Sequence, residues 1–267
     1  MTETSQRRTS IDREVARNLL ASARLLPPEA LAVFCVGSAA RGWMTPASDV
    51  DIYIVTADLF RPEEGAARAV PLQPDVVWTR LAYLDGRRWE IKYWTASQVG
   101  QILEKVSRAS FESEEMATSL TLPEEAFLER VLSCLPLSGE QWVLAQREAV
   151  QASAFREIIV SRSLGEADKA AESALGQLAV GDPHGAVLAA HGAMRYTVDA
   201  LLDSLGCHGS ISSKWRVRRV REASPVALPF DRYWAMETMR DLDRADPEPW
   251  VHSTLSWCRE MAMEIEV

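Results

Sequence analysis

Long hydrophobic runs are missing from this 267-residue chain: the roughly 18 consecutive apolar residues of a membrane span occur nowhere, which excludes a helical membrane protein. Cysteine is scarce. Cys35, Cys134, Cys207 and Cys258 are the only four, and no two form a close pair, so neither a zinc knuckle nor a disulfide framework is expected. Scattered thiols of this kind suit a reducing compartment. Basic residues are outnumbered, 29 against 38 acidic, and the net charge of -9 argues against a protein that wraps nucleic acid through its phosphates. Residues 1–9 are polar and lack the apolar core of a signal peptide, so a cytoplasmic location is expected. With 47% apolar and 25% charged residues, the chain has the composition of an ordinary globular protein. Its length suits one large domain or two.

The two halves are patterned differently. Ile11, Val15, Leu19 and Ala23 recur at helical spacing until Pro27-Pro28 stops them. Four runs rich in β formers follow, at residues 31–36, 50–55, 76–81 and 89–94, the last entered through the turn signal Asp85-Gly86. In the fourth run Trp89, Ile91 and Tyr93 point one way and Glu90, Lys92 and Trp94 the other. Val99, Ile102, Leu103 and Val106 then mark a helix for which Ser97 is the expected cap. Past Leu135-Pro136-Leu137-Ser138-Gly139 everything reads as helix, including a long one opened by Asp182 as N-cap with Pro183 in its first turn. The expected architecture is α+β: a mixed domain over residues 1–138, with a small sheet and helices, and an all-α helical-bundle domain over residues 139–267.

Chemistry concentrates in residues 34–55, FCVGSAARGWMTPASDVDIYIV. Gly37, at the end of a strand, lets the backbone turn tightly and approach a ligand. Ser38 adds a hydroxyl and a backbone N–H where a helix would begin, a favourable place for phosphate oxygens. After ten intervening residues Ser38 is followed by Asp49 and Asp51, which project from one face of a strand. Two like charges side by side are costly unless a cation lies between them, and Mg²⁺ is the hard cation that takes carboxylates together with phosphate oxygens. Val50, Ile52 and Ile54 fall on the opposite face and can anchor the strand. Glu90, outward on a later strand, can complete the cluster or pair with Lys92 or Arg88. Arg41 can touch phosphates or pair with a nearby acid.

Gly-Ser, ten residues, then Asp-x-Asp resembles the active-site signature of the DNA polymerase β-like nucleotidyltransferase superfamily, whose third carboxylate follows on a neighbouring strand as Glu90 does here. A helical second domain makes the chain most similar to the aminoglycoside adenylyltransferases of the streptomycin/spectinomycin type. This resemblance implies that Gly37 and Ser38 hold the phosphates of ATP, that Asp49 and Asp51 bind Mg²⁺, and that Glu90 is either a further metal ligand or the base that deprotonates the acceptor. It implies AMP transfer to a hydroxyl of a small, aminoglycoside-like acceptor with release of pyrophosphate, the helical domain receiving that acceptor. A metabolite or natural-product intermediate, a partner protein of toxin–antitoxin type, or a non-catalytic nucleotide-binding role are the alternatives. Nucleic acid and membrane are not expected partners, and a monomer or small homo-oligomer is.

Weaker signals lie in the second half. Lys214, Arg216, Arg218, Arg219 and Arg221 crowd eight residues. They read as a solvated helical face, with Lys214 the one expected to contact the triphosphate, as a second-domain lysine does in the resembling enzymes. Asp182, Asp199, Asp203, Asp231, Asp241 and Asp243 can receive a cationic acceptor or form a plain soluble surface. His184 and His191 are seven apart, a spacing that disfavours zinc, and His191 reads as a core residue. Trp94, projecting like Glu90, is a candidate to stack on a base or sugar.

Overall fold

In the computed structural model, which describes residues 11–112 and 120–265, Asp12 starts the first helix. Its carboxylate accepts the Val15 N–H at 3.0 Å and caps α1 (Arg13–Ser22). Ala16 and Leu20 form its buried face and Val15 stays exposed, so the face is rotated from the one the apolar spacing suggests. The polar stretch 1–9 lies outside the described residues.

β1 (Ala30–Val36), the short α2 (Gly37–Ala40), β2 (Val50–Thr56), β3 (Ala66–Ala69), β4 (Val76–Leu84) and β5 (Arg87–Thr95) follow, then α3 (Ala96–Lys105), α4 (Arg108–Glu112), α5 (Leu122–Ser133), β6 (Leu135–Ser138) and α6 (Glu140–Ala152). The strands form one six-stranded sheet in the order β3-β4-β5-β2-β1-β6. β2 and β5 run parallel, and every other neighbouring pair is antiparallel.

Both faces of the central strands are covered. Val33, Cys35, Val50, Ile52, Ile54, Trp89, Ile91 and Tyr93 join Ala16 and Leu20 of α1 in one core. On the opposite face Phe34, Tyr53 and Trp94 pack against Phe127 of α5, and Phe34 stacks on Trp142 of α6. Burial on both sides explains why β1 and β2 read as apolar runs without alternation. Trp94 is only 2% exposed and sits 4.9 Å from Phe127, so it is core and is not placed to stack on a ligand. Thr95 caps α3, with its hydroxyl accepting the Gln98 N–H and Gln98 reaching back to the Thr95 N–H. Ser97, the expected cap, instead donates to the Gln73 carbonyl.

The compact units divide at Met1–Ala154 and Phe155–Val267. The change of sequence pattern near residue 138 falls earlier, because β6 pairs with β1 and α6 packs against it. The second unit is helical: α7 (Phe155–Ala179), α8 (Pro183–Ser204), α9 (Arg216–Ala223) after a 3-10 turn (Ser213–Trp215), α10 (Phe230–Glu237) and α11 (Glu248–Glu264). α7 and α8 fold back on one another through Gly181, whose φ of 78° suits glycine. Asp182 caps α8 by accepting the Gly185 N–H at 2.9 Å, with Pro183 in the first turn as the sequence implied. Ala186, Ala190, Ala193, Met194, Val198 and Leu202 of α8 are fully buried and carry the core of this unit. Among the described residues no helix is long and apolar enough to cross a membrane. All four cysteines are free thiols.

Candidate active site

The bend after β1 and the second residue of β2 are built around one another. Val36 is the register partner of Asp51, and Gly37 follows with φ 67°. A Cβ on Gly37 would lie 2.7 Å from Asp51 Oδ2, so the glycine is required both by its backbone angle and by the carboxylate pressed against it. α2 is a single turn, so Ser38 stands in a tight bend and not at the head of a long helix. Its carbonyl accepts the Trp43 N–H at 2.8 Å, which closes the bend.

Across the parallel pair, Val50 matches Trp89 and Asp51 matches Glu90. Register partners share a face, so Asp51 and Glu90 stand side by side. Asp49, two residues before Asp51, lies on that face as well. Burial pushes the Asp51 carboxyl above its ordinary value of 3.8; Arg130 opposes the shift, Glu90 adds to it, Lys92 opposes it and Asp49 adds to it. Glu90 and Asp49 therefore both act on Asp51 electrostatically, near the start of β2 in the centre of the sheet.

Cations already attend them. Arg88 pairs with Asp49, and Lys92 with Glu90 at 2.8 Å. Glu90 thus takes the lysine pairing that its spacing allowed. Arg130, on α5, bonds the Tyr53 hydroxyl and lies over the Tyr53 ring. No sequence signal marks Arg130, because only the packing of α5 on the sheet brings it to β2. Arg41 pairs with Glu129 of α5 at 3.6 Å and lies 4.9 Å from the Trp43 ring centre, so the acid pairing is the one formed. Leu81 of β4 opposes Glu90 and Tyr83 opposes Arg88, and both are exposed, at 49% and 79%.

With Asp49 and Glu90 turned to Arg88 and Lys92, no three His, Cys, Asp or Glu side chains among the described residues are gathered closely enough to hold a metal. The donor set nevertheless fits a hard divalent ion. All three groups offer carboxylate oxygen, and a cation beside Asp51 would favour its charged form, which burial, Glu90 and Asp49 disfavour.

In the second unit Lys214 is exposed in the 3-10 turn, with Nζ 5.1 Å from the Trp215 ring centre. Two of the neighbouring arginines are not part of a solvated face. Arg216 and Arg219 are 5% and 0% exposed, and both bond Asp199. Arg219 also bonds Asp203 and the Cys207 carbonyl. This takes Asp199 and Asp203 away from any acceptor, as capping does Asp182. His191 is half-buried, which lowers its pKa, and it belongs to no metal cluster among the described residues.

Residues 21–121, within the first unit, match a family described as Nucleotidyltransferase domain. Among solved structures, a nucleotidyltransferase-like protein from Exiguobacterium sibiricum is similar to the chain with a TM-score of 0.51. The likeness is one of fold: identity is 14%, and the match covers 94% of this chain and 74% of that one. No curated protein matches.

Proposed function

We propose that the protein is a Mg²⁺-dependent nucleotidyltransferase that moves AMP from ATP to a hydroxyl of a small acceptor and releases pyrophosphate. The observation that carries this reading is the register of β2 and β5, which sets Asp51 beside Glu90 and next to Asp49 at the Gly37 bend. Asp49 and Asp51 hold the metal, with Glu90 as a third ligand or as the base. When bound, the metal offsets charge on the α-phosphoryl group and the departing pyrophosphate. Gly37 and Ser38 receive the phosphates at the bend, and Lys214 is the triphosphate contact from the second unit. Arg41 stays with Glu129. Acting as base, Glu90 accepts the hydroxyl proton as the acceptor oxygen bonds the α-phosphorus and the bond to pyrophosphate breaks.

The acceptor we favour is aminoglycoside-like. The excess of 38 acidic over 29 basic residues supports a cationic compound. Exposed Leu81 and Tyr83, beside Glu90 and Arg88, offer a surface for its ring face. A mass-spectrometric screen of aminoglycosides, other hydroxylated metabolites and candidate partner proteins, with Mg²⁺ and each of four nucleoside triphosphates, tests the proposal. A gain of one AMP on an aminoglycoside is the expected result. A gain on a protein or metabolite alone overturns the acceptor, and no adduct with any triphosphate overturns the activity.

A further inference from the structure

Along one face of β5 the charges alternate: Arg88, then Glu90, then Lys92. Opposite them stand Asp49, just before β2, and Asp51 and Tyr53 on β2. The two acids in the middle, Asp51 and Glu90, face each other in register, an arrangement that repels. The cations flank them. Arg88 holds Asp49 and Lys92 holds Glu90, while Arg130 stays behind Asp51 on the Tyr53 hydroxyl. A carboxylate oxygen that accepts from a guanidinium or ammonium group cannot give the same lone pair to a metal.

We infer that Arg88 and Lys92 are resident counter-cations that compete with the divalent metal for Asp49 Oδ2 and Glu90 Oε1, so that a metal using those oxygens must displace them. The inference rests on the metal site proposed above and adds to it that metal affinity is limited by two side chains that are not ligands. Both pairs can open. The Arg88 and Asp49 side chains are 45% and 34% exposed, and those of Lys92 and Glu90 are 19% and 28% exposed. The wetter pair is the weaker competitor, because solvent screens it more. Arg87, next to Arg88, points to the other face, where it lines a cleft with Ile11, Val50 and Trp89. It carries the same charge and touches none of the acids, which makes it the natural control.

Mn²⁺ binding to the full chain, followed by electron paramagnetic resonance of the free ion and by calorimetry, tests this without turnover. Arg88→Gln should tighten Mn²⁺ about two- to fivefold, the scale of an exposed ion pair. Lys92→Met should tighten it about five- to tenfold, since that pair is less exposed. Arg87→Gln should leave it within about 1.5-fold, as screened charge alone predicts. Affinity unchanged in Arg88→Gln and Lys92→Met overturns the inference, as does equal tightening in Arg87→Gln, which would make the effect one of general charge. Asp51→Asn separates this from the functional proposal. Mn²⁺ held by the wild type, lost in Asp51→Asn and unaltered in Arg88→Gln overturns the competition alone. A wild type that holds no Mn²⁺ overturns both.

Discussion

Two pairs of acids lie side by side in this protein, and they have opposite fates. Asp199 and Asp203 are one turn apart on α8, and Asp51 and Glu90 are register partners on β2 and β5. On α8 buried arginines meet both acids, although Asp203 Oδ2 has no hydrogen-bond partner. Arg216 grips Asp199 with two hydrogen bonds of 3.0 and 2.7 Å, and Arg219 bridges both acids at 2.7 Å each. Every member of that group is at most 5% exposed. On the sheet the cations are partly solvated, and burial pushes the Asp51 carboxyl up, as it does that of Asp199. Buried arginines held by both acids lock helices together, whereas the acids of the central strands, whose cations are partly solvated, are those we propose take up a metal.

That contrast breaks most visibly if the sheet acids prove structural. Asp51→Asn should lower transfer about a thousandfold, as loss of a group that stabilises the transition state does, read as pyrophosphate release. It should not lower stability. The folded protein binds the Asp51 proton more tightly than the unfolded chain does, so Asp51's contribution is present below its ordinary value and is lost as pH rises through the raised one. At neutral pH the asparagine therefore raises the melting temperature, and the gain shrinks toward pH 4. A large fall in melting temperature instead would make Asp51 a structural acid like Asp203.

Arg219→Met tests the other side. It strands Asp203 and half of the Asp199 partnership in a dry interior and should cost about 3–5 kcal/mol in urea unfolding. Mn²⁺ affinity measured below the transition should be unchanged. A loss under 1 kcal/mol would mean the α8 acids are not locked. Glu90→Gln should cut transfer about a hundredfold as the loss of a positioned base does, and leave ATP-analogue affinity intact. Unchanged transfer removes Glu90 from the chemistry. The smallest effect is expected for Lys214→Ala, about a tenfold loss of triphosphate affinity from one charged contact at an exposed position. An unaltered affinity returns Lys214 to the plain surface.

Local signals were legible where one segment carries its own instruction. Asp182-Pro183 starts a helix because cap and first turn are adjacent, and β1, β2, β4 and β5 are runs rich in β formers between turn residues. β6 was not legible as a strand. Pro136 and Gly139 read as a boundary, yet β6 is the edge of the sheet, where a residue lacking an N–H is tolerated. Trp94 shows the limit of alternation. It does share a face with Glu90, but the far end of that face is roofed by Phe127 and the near end is open. Distance along the strand decided its role, and spacing carries no such information.

The sequence by itself determined the Gly37 bend, the acid pair at Asp49 and Asp51, and the helical character of the second half, since each depends on residues within a few positions of one another. Only the tertiary structure decided which cation each acid meets: Arg88 with Asp49, Lys92 with Glu90, Arg130 behind Asp51, and Arg216 and Arg219 closed over Asp199 and Asp203. Charge in a protein acts through space and through burial, and both are set by how distant segments pack.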